Sequence, residues 1–164
     1  LDIGGGSGAY SIAFARANEN LQAEVLDLAA VVPIAQKHIR EAGLTRRVTT
    51  RVGDLLQDEF GKDYDLILLS AICHMLSPEE NQDLLRRCSR ALAPGGRVVI
   101  RDFILEPDKT APKSAALFAL NMLVATRTGS TYSEGEYRAW LAAAGLRDIT
   151  RLDPTGDLIV ARRR

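Results

Sequence analysis

Four glycines in five positions, Gly4, Gly5, Gly6 and Gly8, follow a short apolar run, Leu1 to Ile3, that carries one acid, Asp2. A helical pattern then runs from Tyr10 to Ala17. Glycine reaches positive φ without steric cost and lets another atom approach the backbone closely. Set between a strand and a helix start, such a turn offers free N–H groups to an anionic or polar ligand. The chemistry it suggests is that of a nucleotide-type cofactor lying over the turn, because a plain tight turn needs only one or two glycines.

Asp27 lies 23 residues after Gly4, close to the spacing at which a carboxylate accepts hydrogen bonds from ribose hydroxyls. Two carboxylate oxygens can take two neighbouring donors at once. Further along, Asp54, the stretch Ser70 to His74, and Asp102 each fall just after a β-rich run. Gly4, Gly6 and Ala9 satisfy the relaxed G-x-G-x-x-G/A pattern, which leaves a nicotinamide dinucleotide and other adenosine cofactors both open.

The elements that must position these residues alternate along the chain. Strands are predicted at Gln22 to Asp27, Arg47 to Gly53, Tyr64 to Ala71 and Arg97 to Phe103. Tyr64 to Ala71 is a continuous apolar run, the pattern of a strand covered on both faces. Helices are predicted from Val31 to Ala42, stopped by Gly43, and from Ser77 to about Leu92. For the second, Ser77 is the N-cap, Pro78 sits in the first turn, and Glu80 stands three residues past the cap. Ala93-Pro94-Gly95-Gly96 reads as a turn. Ala111 to Thr126 and Ser133 to Ala144 are two more helices, the first apolar nearly all round and so expected to be buried. Tyr10 and Phe14 are expected on a core-facing helix side, with Tyr10 reaching the cofactor as the alternative, and His38 at the surface. Leu146 to Thr150 and Asp157 to Ala161 close the chain as two strands joined by a turn containing Pro154 and Gly156. Five βα units followed by a β-hairpin predict an α/β fold: a doubly wound, seven-stranded, mostly parallel sheet with an antiparallel edge strand. In such a sheet ligands bind beyond the carboxyl ends of the strands, where all five leading strands present polar or ionisable residues.

Composition narrows the partners. The 164 residues carry 21 basic and 21 acidic side chains, for a net charge of zero. No basic stripe stands out, and Arg162-Arg163-Arg164 is too short to be an electrostatic footprint, so nucleic acid and membrane surfaces are not expected as partners. Cys73 and Cys88 form no metal-ligand or redox spacing, which predicts reduced thiols in a cytoplasm and no metal. No apolar run reaches transmembrane length.

Gly53-Asp54-Leu55, Ala91-Leu92-Ala93-Pro94-Gly95-Gly96 and the closing hairpin resemble the class I S-adenosylmethionine-dependent methyltransferases, with their Rossmann-like fold. Within them, Ser70-Ala71-Ile72-Cys73-His74-Met75-Leu76-Ser77-Pro78-Glu79-Glu80 resembles the small-molecule O-methyltransferases, a family that spans plant caffeate-type enzymes and bacterial carotenoid and polyketide tailoring enzymes. The resemblance covers nearly the whole chain. It implies S-adenosylmethionine as cofactor and a small hydroxylated molecule as substrate. Gly4 and Gly6 then line the methionine end, Asp27 with Leu28 takes the ribose, Asp54 the adenine amino group, and Leu55 packs on the adenine ring. Ser70 stands where plant members often have a lysine near the adenine. His74 matches the general base and Asp102 the acid that orients its ring. Plant members have a second supporting acid where this chain has Thr131, with Glu134 out of register, so the expectation is a single acid on His74. The resemblance also implies that residues 1–164 are a catalytic domain lacking an N-terminal dimerisation domain, and that the full-length protein is a homodimer.

The chemistry suits those residues. A hydroxyl is a weak nucleophile until its proton leaves, and a positioned base contributes roughly 10²–10⁴ in rate. Histidine is mostly neutral at cytoplasmic pH and can accept that proton. Met75, Phe103, Phe118, Asn121 and Met122 are the expected substrate contacts. Asn121 is the polar member of an apolar helix, and Met75 beside His74 favours a flat apolar substrate such as a phenol or polyketide. Two other readings stay open: a carbon or nitrogen acceptor with His74 a spectator, and a non-catalytic cofactor-binding or NAD-binding domain.

Overall fold

The predicted parallel strands pair with their neighbours through backbone ladders. The structure is a computed structural model and describes residues 1–152 and 157–164. The Pro/Gly-containing turn expected between the last two strands lies outside the described residues. The chain divides into two units, Leu1–Glu59 and Phe60–Arg164.

The first unit runs β1 (Asp2–Ile3), α1 (Ala9–Ala17), β2 (Ala23–Asp27), α2 (Val32–Glu41) and β3 (Val48–Val52). Its strands lie in the order β3-β2-β1 and pair in parallel, with Ile3 opposite Leu26 and Asp27 opposite Val52. Parallel neighbours need a crossover, and α1 and α2 supply it. Ala15, Val25, Ala35, Ile39, Leu44 and Val48 form one buried cluster. Gly43 ends α2 as expected: at φ 71 it lets Leu44 N–H reach Ile39 O at 3.1 Å.

The second unit runs β4 (Tyr64–Ser70), a single 3-10 turn (Cys73–Met75), α3 (Pro78–Ala91), β5 (Leu92–Arg101), β6 (Ile104–Leu105), α4 (Lys113–Ala125), β7 (Tyr132–Ser133), α5 (Glu134–Ala143), β8 (Arg147–Arg151) and β9 (Leu158–Arg162). Its main sheet has the order β4-β5-β9-β8, with β4 and β5 parallel and β9 antiparallel to both neighbours. The seven expected strands, mostly parallel and closed by an antiparallel hairpin, are therefore present, and the α/β class stands. The capping box predicted at α3 is formed: Glu80 N–H donates to Ser77 Oγ at 3.1 Å and Ser77 N–H to Glu80 Oε2 at 2.7 Å.

Three expectations need correction. The helix over Ala111 to Thr126 is not buried all round: Ala115 and Met122 are inside, but Leu123 is 74% and Val124 87% exposed, with Leu117 and Leu120 exposed as well. Apolar content on every face says that a helix dislikes water, not that this chain covers it. Tyr10 and Phe14 also lie exposed on α1, against each other at 6.3 Å between ring centroids. Finally, Ala93 to Gly96 lies inside β5, whose register with β4 shifts between the pairs at Tyr64 and Leu66. Gly95, at φ 78, absorbs the irregularity. The short parallel pair β6–β7 carried no periodic signal, because two-residue strands have none.

Candidate active site

In the first unit the glycine turn is built around two carboxylates. Asp2, at the start of β1, is buried, and its Oδ2 accepts the Ser11 hydroxyl from α1 at 2.9 Å. Burial pushes the Asp2 carboxyl above its ordinary value, against the Ser11 hydrogen bond, which pulls it down. A Cβ on Gly5 would sit 2.7 Å from Asp2 Cγ and 2.9 Å from Val25 Cγ1, so only glycine passes there. Asp27, ending β2, grips the turn from the other strand: Oδ2 accepts Gly6 N–H at 2.8 Å and Oδ1 accepts Leu28 N–H at 2.7 Å. Gly4 and Gly6 both adopt positive φ, 66° and 57°. Nothing lies within 4 Å of the position a Gly6 Cβ would take, so this face of the turn is open.

An open glycine face with a strand-end carboxylate fits a nucleoside-bearing cofactor. Each Asp27 oxygen has one N–H on it and keeps a lone pair for a ribose hydroxyl. Asp54 is similarly half-used. Its Oδ1 accepts Leu56 N–H at 2.8 Å and its Oδ2 the Gln57 amide at 3.0 Å, a local turn that aims the carboxylate. Leu55 is half-buried, whereas Leu28 is exposed.

In the second unit the strand ends bring His74 and Asp102 together, as the parallel adjacency of β4 and β5 requires. His74 Nδ1 lies 2.7 Å from Asp102 Oδ1, and His74 N–H donates to Asp102 Oδ2 at 3.1 Å. Both residues are buried. Phe103 N–H also donates to Asp102 Oδ1 at 2.8 Å. A carboxylate so gripped fixes the imidazole as Nδ1–H and leaves Nε2 free to accept a proton. Phe118 stands edge-on to the His74 ring, centroids 4.9 Å apart at 90°, and stacks on Phe103 at 4.0 Å. The imidazole thus sits beside aromatic faces.

The remaining expected residues divide. Met75 is 40% exposed beside His74, and Met122 is buried. Asn121 is exposed, which removes the argument that its amide must find a partner inside the protein. Ser70 is half-buried at the end of β4, opposite Arg101. Thr131, at the position of the second acid, is buried with Oγ1 on Ala115 O at 3.1 Å. Glu134 pairs with Arg138 at 2.7 Å. Among the described residues Asp102 is the carboxylate on the His74 ring. Burial pushes the Cys73 thiol well up from its ordinary value, with the Asp102 charge adding to it, so it is no thiolate nucleophile.

Sequence reasoning missed the groups that hold the histidine turn. Asn81 and Ser130 bond to carbonyls between Cys73 and Ser77, and Tyr132, expected only on the segment covering the site, donates to Leu76 O. The one signal available was a polar residue, Asn81, on the inward side of α3, four residues past its N-cap. A separate cavity of about 480 Å³, lined by Gly95, Arg147, Asp148, Arg162, Arg163 and Arg164, contains none of the predicted site residues. Among the described residues no cluster of three or more metal-ligating side chains occurs, and no helix is long and apolar enough to cross a membrane.

Comparison with known proteins bears on the whole chain. Residues 1–147 match the O-methyltransferase domain family. A 3-hydroxy-5-methyl-1-naphthoate 3-O-methyltransferase of Streptomyces sahachiroi is 38% identical over 91% of this chain and 43% of that protein. An L-tyrosine C(3)-methyltransferase of Streptomyces lavendulae is 36% identical over 95% of this chain and 43% of its own length. The chain therefore spans less than half of these relatives. Among solved structures, an O-methyltransferase family 2 protein of Planctomyces limnophilus in complex with apigenin superposes with TM-score 0.92, at 32% identity, over 100% of this chain and 49% of that one. Human N-acetylserotonin methyltransferase in complex with S-adenosylmethionine gives 0.87, at 28% identity, over 99% and 46%. These superpositions bear out the Rossmann-like class I methyltransferase fold.

Proposed function

The chain belongs to the O-methyltransferase domain family, and from that premise we propose that it methylates a hydroxyl of a small aromatic or polyketide-like molecule, with His74 as the general base. S-Adenosylmethionine is the cofactor of the family, and it supplies a methyl group carried on a cationic sulfur. The observation that carries the reading is the buried pair of His74 Nδ1 and Asp102 Oδ1 at 2.7 Å. Relatives that act on naphthoate and polyketide hydroxyls support an oxygen acceptor on an aromatic frame.

The residues divide the work. Gly4, Gly6, Asp27 and Leu28 would hold the methionine and ribose parts of the cofactor, and Asp54, Leu55 and Ser70 the adenine. His74 Nε2 takes the proton of the substrate hydroxyl. Asp102 keeps Nδ1 protonated and stabilises the imidazolium that forms. Phe103, Phe118, Met75 and Met122 would supply apolar surface for a flat ring, and Asn121, exposed on α4, would add a polar contact. Holding the acceptor oxygen in line supplies much of the remaining acceleration.

The proposal extends to the setting: residues 1–164 act as the catalytic domain of a cytoplasmic homodimer. The exposed apolar strip Leu117, Leu120, Leu123 and Val124 on α4 supports an apolar partner surface. Light scattering on the full-length protein tests this, and a monomer at working concentration removes it.

His74→Ala tests the base. Cofactor affinity should stay within about threefold by calorimetry, while turnover on a panel of phenols and hydroxylated polyketides falls at least a hundredfold. Near-normal turnover would remove His74 from the mechanism. Mass and NMR spectra of the product separate oxygen from carbon methylation.

A further inference from the structure

We infer that Asn81 and Gly129 are positioning residues for His74, setting from two elements the backbone turn that carries its imidazole. This rests on the reading of His74 as the base. The turn Cys73–Met75 is only three residues long, too short to hold its own geometry by helical bonds. Asn81, in the first turns of α3, is fully buried, and its Nδ2 lies 2.9 Å from Cys73 O, 3.3 Å from Leu76 O and 3.1 Å from Ser77 O. An amide nitrogen has two hydrogens, so three carbonyls share them. Its Oδ1 has no hydrogen-bond partner. An unpartnered buried acceptor is unfavourable, and an apolar residue at this point would avoid it. What Asn81 contributes, it contributes through its donors, and those go to the histidine turn.

The second hold comes from the chain after α4. Ser130 N–H donates to the His74 carbonyl at 2.9 Å. That bond needs an unusually close approach at Gly129: a Cβ there would overlap the His74 carbonyl oxygen and lie 2.5 Å from Thr126 Oγ1 and 3.1 Å from Met75 Cα. Gly129 N–H is fixed in turn on Thr126 Oγ1 at 2.8 Å. The Tyr132 hydroxyl donates to the Leu76 carbonyl beside the turn. The His74 backbone is therefore set by Asp102 at its N–H and by Ser130 at its carbonyl, and Asn81 sets the carbonyls on either side. With Nδ1 tied to Asp102, the tilt of this turn decides where Nε2 points. Misplacement of a reacting group by about 1 Å costs on the order of 10² in rate.

The test uses the chain labelled with ¹³C and ¹⁵N histidine, which has only two histidines, His38 and His74; His38→Gln assigns them. In Asn81→Leu and Gly129→Ala the His74 ring signals should shift and its Nδ1 proton should exchange at least about tenfold faster, while His38 is unchanged. Turnover should fall about 10- to 100-fold, with cofactor Kd within twofold. If Asn81→Leu does not fold by circular dichroism, Asn81→Asp keeps the shape, removes the amide hydrogens and makes the same comparison. Unchanged His74 signals in the folded variants overturn the inference, whatever the activity. Shifted His74 signals with unchanged turnover uphold the positioning and instead remove His74 as the base, so the two readings fail separately.

Discussion

Asp102 holds His74 twice, by the ring at 2.7 Å and by the backbone N–H at 3.1 Å, across 28 residues of chain. One buried carboxylate therefore fixes both the tautomer of the imidazole and the place of its Cα. A third hydrogen bond, from Phe103 N–H at 2.8 Å, fixes the carboxylate itself.

Asp102→Asn tests that double grip. The amide keeps the shape but has one acceptor oxygen where the carboxylate has two, so one of the three N–H groups faces a donor. Turnover should fall at least about a hundredfold, and unfolding free energy by about 1–3 kcal/mol, with cofactor affinity unchanged within about threefold. Stopped assays and urea melts give both numbers. Wild-type turnover in the folded variant would detach Asp102 from catalysis.

Asp27→Ala separates cofactor binding from base chemistry. It removes the acceptors for Gly6 and Leu28 N–H and, with them, the proposed partner of the ribose. We expect S-adenosylmethionine affinity to drop at least tenfold, about 1.4 kcal/mol, by calorimetry. Unchanged affinity would mean that Asp27 braces the turn and does not touch the ribose.

The glycines of the turn should fail for different reasons. In Gly5→Ala the new methyl meets Asp2 and Val25 side chains that are themselves buried. Neither can retreat, and overpacking of this kind costs about 1–3 kcal/mol. Gly6→Ala meets no protein atom within 4 Å, so its penalty is the φ of 57°, about 1–2 kcal/mol, together with a methyl on the open face proposed for the cofactor. Thermal melts with and without S-adenosylmethionine distinguish them: ligand should restore part of the Gly5→Ala loss and little of the Gly6→Ala loss. Equal rescue would sink the distinction.

What could be read from residues alone was local or followed from strand order. The glycine run, the Ser77–Glu80 cap and the Gly43 stop each act within a few residues. The pairing of Asp102 with His74 came from the family resemblance, and the adjacency of consecutive parallel strands allowed it. The α4 helix was misjudged because composition measures aversion to water and not the presence of a cover. Asn81 escaped because its partners are carbonyls of a turn that folds back on α3, and carbonyls leave no mark on a sequence. Gly129 is excluded from carrying a side chain by the closeness of His74 O, a contact between distant segments that the local sequence does not record.

The Glu80 cap makes a pH-dependent prediction. The Ser77 backbone N–H chiefly, then the Thr128 hydroxyl and Arg127, hold the Glu80 carboxyl below its ordinary value of 4.5, against a smaller burial effect. A folded value below the unfolded one means that the unfolded chain binds more protons in the window between them. Stability there rises with pH. The contribution is complete above about pH 4.5 and is lost as pH falls through the lowered folded value. An acidic side chain in the first turn of a helix contributes about 0.3–1 kcal/mol. Glu80→Ala should therefore sit below wild type by about that amount between pH 5 and 7 in urea melts, and the gap should narrow steadily below pH 4.5. Glu80→Gln, which can still accept the Ser77 N–H, should show a smaller gap at neutral pH and no loss of its own contribution in acid. A Glu80→Ala gap that stays constant down to pH 3 would mean that the carboxylate charge contributes nothing to the cap.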